Sequence, residues 1–469
     1  MRAPTDDGRQ VAIVGGGIAG LALACALEKR DRAVRVTVLE AEPRLGGNLR
    51  TEEIDGYVCE WGPNGFLDNV PETLRLVDDL GLRERLQVSD DRARKRFIYR
   101  RGRLHALPGG PGAFLTSGLL SMKGRLRVAG ELFAARRPEG VDETIHAFAS
   151  RRIGREAADV LVDSMVSGVF GGDARSLSLR ACFPKMWQME TDHGGLFRAL
   201  FAKMREKGRR PDAPIGAPAG KLTSFRGGIE ELIRGAARAV RGQVRTGSRV
   251  AGLKREAQRF RLSLDSGTTI EADTVVLAGG AGASAVIVER LDASLAAELR
   301  GIASAPIAVV CLGWARDAPG HDLDGFGFLV PRGEGPRILG ALWDSSIYPG
   351  RAPRDRVLVR VMIGGACDPG AVDLEQGELV DVVRRDLERT MGVNEPPGFV
   401  HVFRHRLGIP QYAPGHLDRL ARIDALLSAN PGLHLAGNAY RGVAINSCIA
   451  DADGLADGIL AGQPIPSTP

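Results

Sequence analysis

The chain has 469 residues, of which 44% are hydrophobic and 26% charged, a composition typical of a soluble globular protein with two or three domains. Its net charge of +6 suits an anionic substrate or an anionic membrane surface, and equally an ordinary solvated basic face. The basic residues form no stripe interleaved with aromatic residues, so we expect no nucleic-acid partner.

Neither secretion nor a metal site is indicated. Residues 1–9 are polar, and no apolar stretch is long enough to span a bilayer. Six cysteines lie scattered without a Cys-x-x-Cys pair, which predicts buried thiols in a reducing compartment. His401 and His405 fall on a predicted strand, where they do not form a metal-binding pair. We therefore expect no metal ion and a cytoplasmic location, with peripheral attachment to the cytoplasmic face of a membrane left open.

The first predicted elements form one strand–helix–strand unit. Val11–Val14 is an apolar run of strand length, Leu21–Arg30 is rich in helix-forming residues, and Val34–Leu39 is a second apolar run. Between the first strand and the helix lies a glycine-rich turn. This order of elements is typical of the start of a dinucleotide-binding domain.

The glycine turn contains the spacing G-x-G-x-x-G at Gly15, Gly17 and Gly20. The first glycine permits a tight turn, the second lets a pyrophosphate approach the backbone, and the third lets the helix pack closely on the strand. Glu40, at the end of the second strand, places a carboxylate where it can accept hydrogen bonds from ribose hydroxyls. Together these features predict a dinucleotide site.

Two further loops connect the chain to a known family. Arg44–Gly47 reads Arg-Leu-Gly-Gly, and together with the glycine turn and Glu40 it resembles the amine-oxidase-like superfamily of FAD enzymes. Glu60–Asn64 reads Glu-Trp-Gly-Pro-Asn and resembles the protoporphyrinogen oxidase branch of that superfamily. Some relatives have arginine where this chain has Asn64, so no charge role is expected there.

The resemblance implies an α/β fold with three domains. These are a discontinuous Rossmann-type FAD-binding domain, a mostly antiparallel β-sheet substrate domain and a helical, membrane-facing domain. The implied boundaries are 1–90, 221–300 and 408–469 for the first, 91–107 and 301–407 for the second, and 108–220 for the third.

A basic hairpin is predicted at Lys95–Leu104, with its turn at Arg101 and Gly102. Its cations either protect an edge strand from pairing or capture a carboxylate with a guanidinium group. Arg96 matches the arginine that, in the family, is thought to hold a propionate group of a porphyrinogen.

Residues 108–207 are predicted to be mainly helical, followed by a linker at 207–220. Within them, 115–132 is basic and amphipathic, which fits either a membrane interface or a helix packed on the protein core. Residues 167–173 are glycine-rich and are expected to break the helical pattern. By resemblance, the backbone carbonyl of Gly168 faces the pyrrole N–H groups of a substrate.

Short apolar runs separated by turns predict a second, mostly antiparallel sheet after residue 300. The segment Gly325–Pro331 resembles the substrate-sheet motif of the branch. Near the end of the chain, Leu433–Asn438 predicts a strand entering a loop, and a helix is predicted through Leu460. In FAD enzymes of this type, that segment supplies the contacts to the isoalloxazine ring from a remote part of the chain.

Carried over position by position, the resemblance predicts two sets of site residues. The FAD-binding set is Gly15, Gly16, Gly17, Ile18, Ala19, Gly20, Glu40, Ala41, Arg44, Gly47, Asn48, Gly62, Pro63, Asn64, Gly65, Val250, Gly437, Asn438, Val443, Ala444 and Ile445. The substrate-binding set is Arg96, Gly168, Phe326, Leu329, Leu342 and Met362. No residue is predicted to act as a general acid or base.

The function expected from the resemblance is FAD-dependent oxidation of protoporphyrinogen IX to protoporphyrin IX, with O₂ as acceptor, in haem biosynthesis. A homodimer is also expected. Coproporphyrinogen III, an amine or a polyene are alternative substrates. A protein that keeps the nucleotide fold but only binds or escorts a ligand is the non-enzymatic alternative.

Overall fold

The computed structural model describes residues 8–109, 117–138, 140–207, 220–318 and 320–462. In chain order the strands are β1 (Gln10–Val14), β2 (Arg35–Leu39), β3 (Thr51–Ile54), β4 (Tyr57–Glu60), β5 (Phe66–Leu67), β6 (Leu86–Val88), β7 (Arg96–Arg100), β8 (Arg103–Ala106), β9 (Leu222–Phe225), β10 (Gln243–Arg245), β11 (Val250–Glu256), β12 (Arg259–Leu264), β13 (Thr269–Ala272), β14 (Thr274–Leu277), β15 (Ser304–Ala315), β16 (Gly327–Leu329), β17 (Ile338–Leu342), β18 (Arg356–Gly364), β19 (Phe399–Pro410) and β20 (Leu433–Leu435).

The helices are α1 (Ile18–Arg30), α2 (Pro71–Asp79), α3 (Met122–Ala129), α4 (Ile145–Ile153), α5 (Arg155–Ala157), α6 (Asp163–Phe170), α7 (Leu179–Cys182), α8 (Pro184–His193), α9 (Leu196–Lys207), α10 (Glu230–Ala239), α11 (Ala281–Val288), α12 (Ala293–Arg300), α13 (Asp344–Ile347), α14 (Gln376–Met391), α15 (His416–Ser428) and α16 (Ile445–Ala461). A π-helix covers Ala158–Val162 between α5 and α6.

A five-stranded parallel sheet in the order β10-β2-β1-β14-β20 forms the first layer. Alternate residues of its strands face opposite sides, as the period of a strand requires. Val11 and Ile13 pack in the cluster that includes α1, α10 and α16, whereas Ala12 packs with Phe260 and the helices α11 and α12 on the other side. The sheet is therefore buried on both faces, and the predicted Rossmann-type arrangement is confirmed.

A seven-stranded sheet in the order β19-β15-β18-β17-β16-β7-β8 forms the second layer. Its described pairs are antiparallel except for β16 with β7. On β18, Val359 and Val361 belong to the cluster that packs against α14, so Arg360 and Met362 face the opposite side. The predicted antiparallel sheet is confirmed, and one of its faces is left to contact the rest of the molecule.

The helices α3 to α9 follow β8 and precede β9 in the sequence. One expectation about them is wrong. The predicted break at 167–173 begins later, because α6 continues through Gly168 to Phe170. Gly171 ends the helix in the left-handed conformation, with φ of +54°. One isolated glycine does not stop a helix, whereas the Gly171–Gly172 pair does.

Several other expectations concern residues that are described only in part. Residues 115–116 of the predicted amphipathic segment and 208–219 of the predicted linker lie outside the described residues. Within the described ranges, no helix is both long and apolar enough to cross a membrane. The division into three domains with the boundaries given above stays a prediction.

The cysteines of the chain are free thiols, but they are not all buried as expected. Cys59, Cys311 and Cys448 are buried, Cys25 and Cys182 are partly accessible, and Cys367 is exposed. Cys367 lies in the turn after β18, where the sheet no longer covers it. The expectation of uniformly buried thiols is therefore wrong.

A buried ion pair connects the segment before β18 with β4 and with the start of α10. Arg351 donates to Glu60 Oε1 at 2.8 Å, and both side chains are almost fully buried. The same carboxylate accepts hydrogen bonds from the backbone N–H of Ile229 at 3.0 Å and from the Thr51 hydroxyl at 2.6 Å. Burial raises the pKa of the Glu60 carboxyl, and the charge of Arg351 together with the hydrogen bonds from Thr51 and Ile229 opposes that rise.

Arg351→Ala is expected to lower the free energy of unfolding by about 3–5 kcal/mol, because it leaves the Glu60 carboxylate buried without its cation. Chemical denaturation followed by circular dichroism measures the change. Lys29→Ala is the matched control, since Lys29 pairs with Asp79 at the surface, and we expect it to cost at most about 1 kcal/mol. Equal effects of the two substitutions contradict the prediction.

Candidate active site

The turn between β1 and α1 brings helix and strand into close contact. Gly15 has φ of +119° and donates its N–H to Leu39 O at 2.8 Å. A Cβ atom added to Gly20 lies only 2.1 Å from Gly15 O. The helix start is capped by Gly17 without a side-chain hydrogen bond, so its first N–H groups point toward the end of the sheet, where anions bind readily.

Glu40 lies beside this turn, at the end of β2. Its carboxylate accepts hydrogen bonds from the N–H groups of Gly16 at 2.7 Å and Glu42 at 2.9 Å. The backbone O of Glu40 accepts from Ser248 N at 2.7 Å, which brings the segment before Val250 to the same place. The carboxylate is therefore held in one orientation, as a ribose-binding group requires.

The Arg44–Gly47 loop crosses the glycine turn. Gly46 donates its N–H to Gly16 O at 2.8 Å and pairs with Gly17 in an isolated β-bridge. The Arg44 guanidinium donates to Leu45 O at 3.1 Å and to Gly47 O at 3.0 Å. In the structure this arginine shapes its own loop, and its predicted contact to the cofactor stays a prediction.

The predicted C-terminal cofactor segment lies next to the glycine turn. Ala436 donates its N–H to Leu277 O at 3.0 Å, and a Cβ added to Gly437 lies 3.5 Å from Ala278 O and 4.0 Å from Ala19 Cβ. The helix α16 then begins at Ile445 without a side-chain cap. Two helix N-termini and the ends of three parallel strands thus meet at one edge of the sheet.

Gly279 and Gly280 lie at this edge and are absent from the predicted set. A Cβ added to either residue meets no heavy atom of the described residues within 4 Å, and one added to Gly17 has Gly46 O at 4.0 Å as its nearest neighbour. Backbone without side chains therefore borders open space here, as binding of a large dinucleotide requires. The signal that could have identified them is a glycine pair directly after a buried parallel strand.

The Gly62–Gly65 loop faces the substrate sheet. The Arg360 guanidinium donates to Gly62 O and forms an ion pair with Asp344, with a distance of 2.9 Å from Nε to Oδ2. Asn64 is buried, and its Nδ2 has no hydrogen-bond partner in the part of the chain that the structure describes. Such a donor needs a partner, so the residues present fit a flavin ring with its carbonyl and ring-nitrogen acceptors.

Leu329, Leu342 and Met362 share the sheet face opposite α14, and Phe326, directly before β16, packs against the same small cluster as Leu342. Phe326, Leu329, Leu342 and Met362 are all partly buried. Gly340 pairs with both Leu329 and Met362, which places these side chains in one row across three strands. Together they form an apolar wall.

Gly168 approaches this wall from the helical region. A Cβ added to Gly168 lies 2.6 Å from Leu329 Cδ2, so no larger residue fits without a shift. Gly168 also lies in the last turn of α6, where backbone carbonyls lack partners within the helix. The structure therefore brings Gly168 to the substrate wall, and its contact to pyrrole N–H groups stays a prediction.

Arg96 lies at the open rim of the wall. It is exposed, it pairs with Gly327 across the strands, and its Cζ lies 4.8 Å from the centre of the Phe326 ring. Two of its basic neighbours are neutralised, because Lys95 pairs with Asp324 and Arg100 pairs with Glu156. No ion pair of Arg96 is found among the described residues, so its guanidinium is available to a carboxylate.

One titratable group near the site, His405, is held in its neutral state. His405 Nε2 lies 2.9 Å from Trp61 O, and burial lowers the pKa of this histidine, so it stays neutral near pH 7. In the described ranges no three His, Cys, Asp or Glu residues come together as metal ligands. The geometry suits a site that orients a cofactor and a substrate.

Comparison with known proteins identifies the family. The model of the flavin containing amine oxidoreductases matches residues 18–460. The chain belongs to this family. FAD is therefore the cofactor, as predicted, and the predicted fold class is confirmed.

Three relatives cover nearly the whole chain. A coproporphyrinogen III oxidase of Bacillus subtilis (strain 168) is 31% identical over 459 residues, covering 95% of this chain and 96% of the relative. A protoporphyrinogen oxidase of Bos taurus is 35% identical over 482 aligned residues, covering 97% and 99%. The crystal structure of an Exiguobacterium sp. 255-15 protein, provisionally named a protoporphyrinogen oxidase, has a TM-score of 0.84 at 28% identity, covering 97% and 99%.

Gly20→Ala is expected to weaken FAD binding at least about tenfold, because its Cβ collides with Gly15 O and displaces the start of α1 from the glycine turn. The ratio of flavin to protein absorbance after purification, and titration of the apoprotein with FAD, measure the effect. Gly454→Ala in α16 is the control, since its Cβ meets no described heavy atom within 4 Å. Full flavin content in the Gly20 variant contradicts the prediction.

Proposed function

We propose that this protein is an FAD-dependent oxidase that converts protoporphyrinogen IX to protoporphyrin IX, with O₂ as acceptor. The observation that carries the proposal is the apolar wall opposite the Gly62–Gly65 loop, with the accessible cation of Arg96 at its rim. A porphyrinogen has the matching chemistry, a large apolar ring with carboxylates only at its edge. The names of the Bos taurus and Bacillus subtilis relatives support the same substrate class.

The conversion removes six electrons and six protons from the macrocycle and reduces three O₂ to three H₂O₂. When bound, FAD would supply the redox chemistry that connects the methylene bridges of the porphyrinogen to O₂. The chain supplies position: Arg96 anchors a propionate, and the wall formed by Phe326, Leu329, Leu342 and Met362 aligns the ring. Gly168 leaves room for the Leu329 side chain and offers its backbone carbonyl to the pyrrole N–H groups. Tautomerisation of these N–H groups completes each step.

Coproporphyrinogen III is the second candidate substrate. It differs from protoporphyrinogen IX mainly in its additional peripheral carboxylates, and the relative in Bacillus subtilis is named for it. An anion-binding rim suits both substrates, so the two must be compared directly. A binding or escort protein without redox activity is the remaining alternative, and reduction of bound flavin by either porphyrinogen excludes it.

The deciding experiment is rapid anaerobic mixing of the yellow holoenzyme with protoporphyrinogen IX. We expect the flavin absorbance to bleach within the time of one turnover, and porphyrin fluorescence to appear when O₂ is admitted. Coproporphyrinogen III is run in parallel. Faster bleaching by coproporphyrinogen III moves the assignment to that substrate, and bleaching by neither overturns the proposal.

Arg96→Ala is expected to raise KM for the porphyrinogen at least about tenfold with a smaller change in kcat, because a charge-assisted contact to a propionate is lost. Arg96→Lys keeps the charge and recovers part of the affinity. Arg103→Ala is the control, since Arg103 is exposed on the other strand of the same hairpin. An unchanged KM for Arg96→Ala removes the anchoring role.

Peripheral membrane contact is a further part of the proposal. Met122, Leu126 and Phe133 expose 64%, 67% and 89% of their surface, and cationic residues lie among them in the sequence. Such a surface supports binding to an anionic membrane. A homodimer is proposed from the resemblance alone, and a cytoplasmic location from the scattered cysteines without a Cys-x-x-Cys pair.

Flotation with anionic liposomes at low salt tests this contact, and the protein is expected to rise with the lipid. Leu126→Ser combined with Phe133→Ser is expected to leave most of it in the soluble fraction, because the apolar contact is removed. Val286→Ser, at an exposed apolar residue in α11, is the control. Wild-type protein that stays with the soluble fraction contradicts membrane contact.

A further inference from the structure

After β19, the last strand of the substrate sheet in the sequence, residues 411 and 412 lie between the helical region (α3 to α9) and the loop that follows β20. Gln411 Nε2 donates to Phe170 O at 2.9 Å, at the end of the helix that carries Gly168. The next residue, Tyr412, accepts a hydrogen bond at its backbone O from Ser178 N at 2.8 Å. Two successive residues thus connect the sheet with the helical region.

The side chain of Tyr412 points the other way, into the loop between β20 and α16. Its hydroxyl donates to Asn438 O at 2.5 Å and accepts from the N–H of Gly442 at 3.0 Å. Tyr412 is almost fully buried, and burial raises the pKa of its hydroxyl, which therefore stays protonated. One hydroxyl satisfies backbone groups at both ends of this loop.

His416 holds the same loop at its centre. Its ring stacks on the Tyr412 ring, with centroids 4.1 Å apart and an interplanar angle of 12°. His416 Nε2 lies 3.2 Å from Tyr440 O, and burial lowers the pKa of this histidine, so it is neutral and donates from that nitrogen. The loop is therefore fixed at three backbone positions by two stacked rings.

Both ends of this loop lie in the cofactor cradle, which is the edge of the parallel sheet where the glycine turn, Gly279–Gly280 and the start of α16 meet. Gly437 begins it beside Ala278 and Ala19, and Ala444 ends it as the cap of α16. A shift of the loop moves the start of α16 relative to the glycine turn. The loop conformation therefore decides whether the two helix N-termini face the same ligand.

We propose that Tyr412 is a positioning residue for the flavin. The Tyr412 hydroxyl fixes the 438–442 loop and, through this loop, the N-terminus of α16. This rests on the proposed assignment of Gly437, Asn438 and Val443–Ile445 to FAD. Because Gln411 holds the end of the Gly168 helix, residues 411 and 412 together set the flavin-facing and substrate-facing elements relative to each other.

Tyr412→Phe tests the proposal in the full-length holoenzyme, because it removes the hydroxyl and keeps the ring that stacks on His416. The lost contacts leave Asn438 O and Gly442 N, both in partly buried residues, without their hydrogen-bond partner. We expect the Kd of the apoprotein for FAD to rise at least about tenfold, the visible spectrum of the bound flavin to shift, and kcat to fall more than KM changes. Tyr99→Phe is the control, since Tyr99 is equally buried in the core against α14.

A merely structural tyrosine gives a different result. If Tyr412→Phe lowers the melting temperature but keeps the wild-type Kd for FAD and the wild-type flavin spectrum, the proposal is overturned. His416→Phe keeps the stacked ring and removes the contact to Tyr440 O, and it is expected to weaken FAD binding in the same direction. Both binding assays use FAD alone, so a wild-type enzyme that fails to oxidise a porphyrinogen refutes the proposed function without affecting this test.

Discussion

The parallel pairing of β14 with both β1 and β20 is the constraint on which the rest of the structure depends. It is made by backbone hydrogen bonds such as Ala278 N to Val14 O, at 2.8 Å, and Ala436 N to Leu277 O, at 3.0 Å. Because the carboxyl ends of parallel strands meet at one edge, this pairing places the C-terminal loop beside the glycine turn. Without this pairing, neither the cradle nor the start of α16 would be held in place.

Buried charged groups tie the substrate sheet to the end of β4 and to the Gly62–Gly65 loop. Arg351 pairs with Glu60, and Arg360 pairs with Asp344 while it also holds Gly62 O. Each ion is fully buried and therefore costly unless its partner stays in place. The apolar wall and the Gly62–Gly65 loop are consequently held at a fixed distance and orientation. A reaction between two bound molecules requires such a fixed geometry.

Local patterns in the sequence were sufficient for many, but not all, elements of the fold. The glycine spacing predicted the β1–α1 turn, and the Arg101–Gly102 pair predicted the hairpin, because both depend on residues close in sequence. The continuation of α6 through Gly168 was missed, since helix ends depend on packing as well as on glycine. Spacing indicated Gly15, Gly17, Gly20 and Glu40, whereas most other site residues were assigned from family resemblance. The roles of all of them stay predictions.

Other parts of the site could not be predicted from sequence for physical reasons. Arg44 turns back on its own loop, and the Tyr412 hydroxyl meets a loop about thirty residues further along the chain. Such contacts are set by how strands from distant parts of the chain pair, and no local pattern encodes them. Gly279 and Gly280 were visible in the sequence as a glycine pair after a buried strand. Only the pairing of β14 with β1 and β20 shows that this pair lies at the edge of the sheet beside the glycine turn.

The position of β20 also bears on how the protein is made. β20 begins about 400 residues after α1 ends, so it leaves the ribosome long after the glycine turn. A nascent chain can form that turn early, yet β20 and the start of α16 are missing beside it until residue 445 has been made. The cradle is therefore complete only after β20 has been made, and a product shortened before residue 433 keeps the glycine turn without the loop that lies next to it.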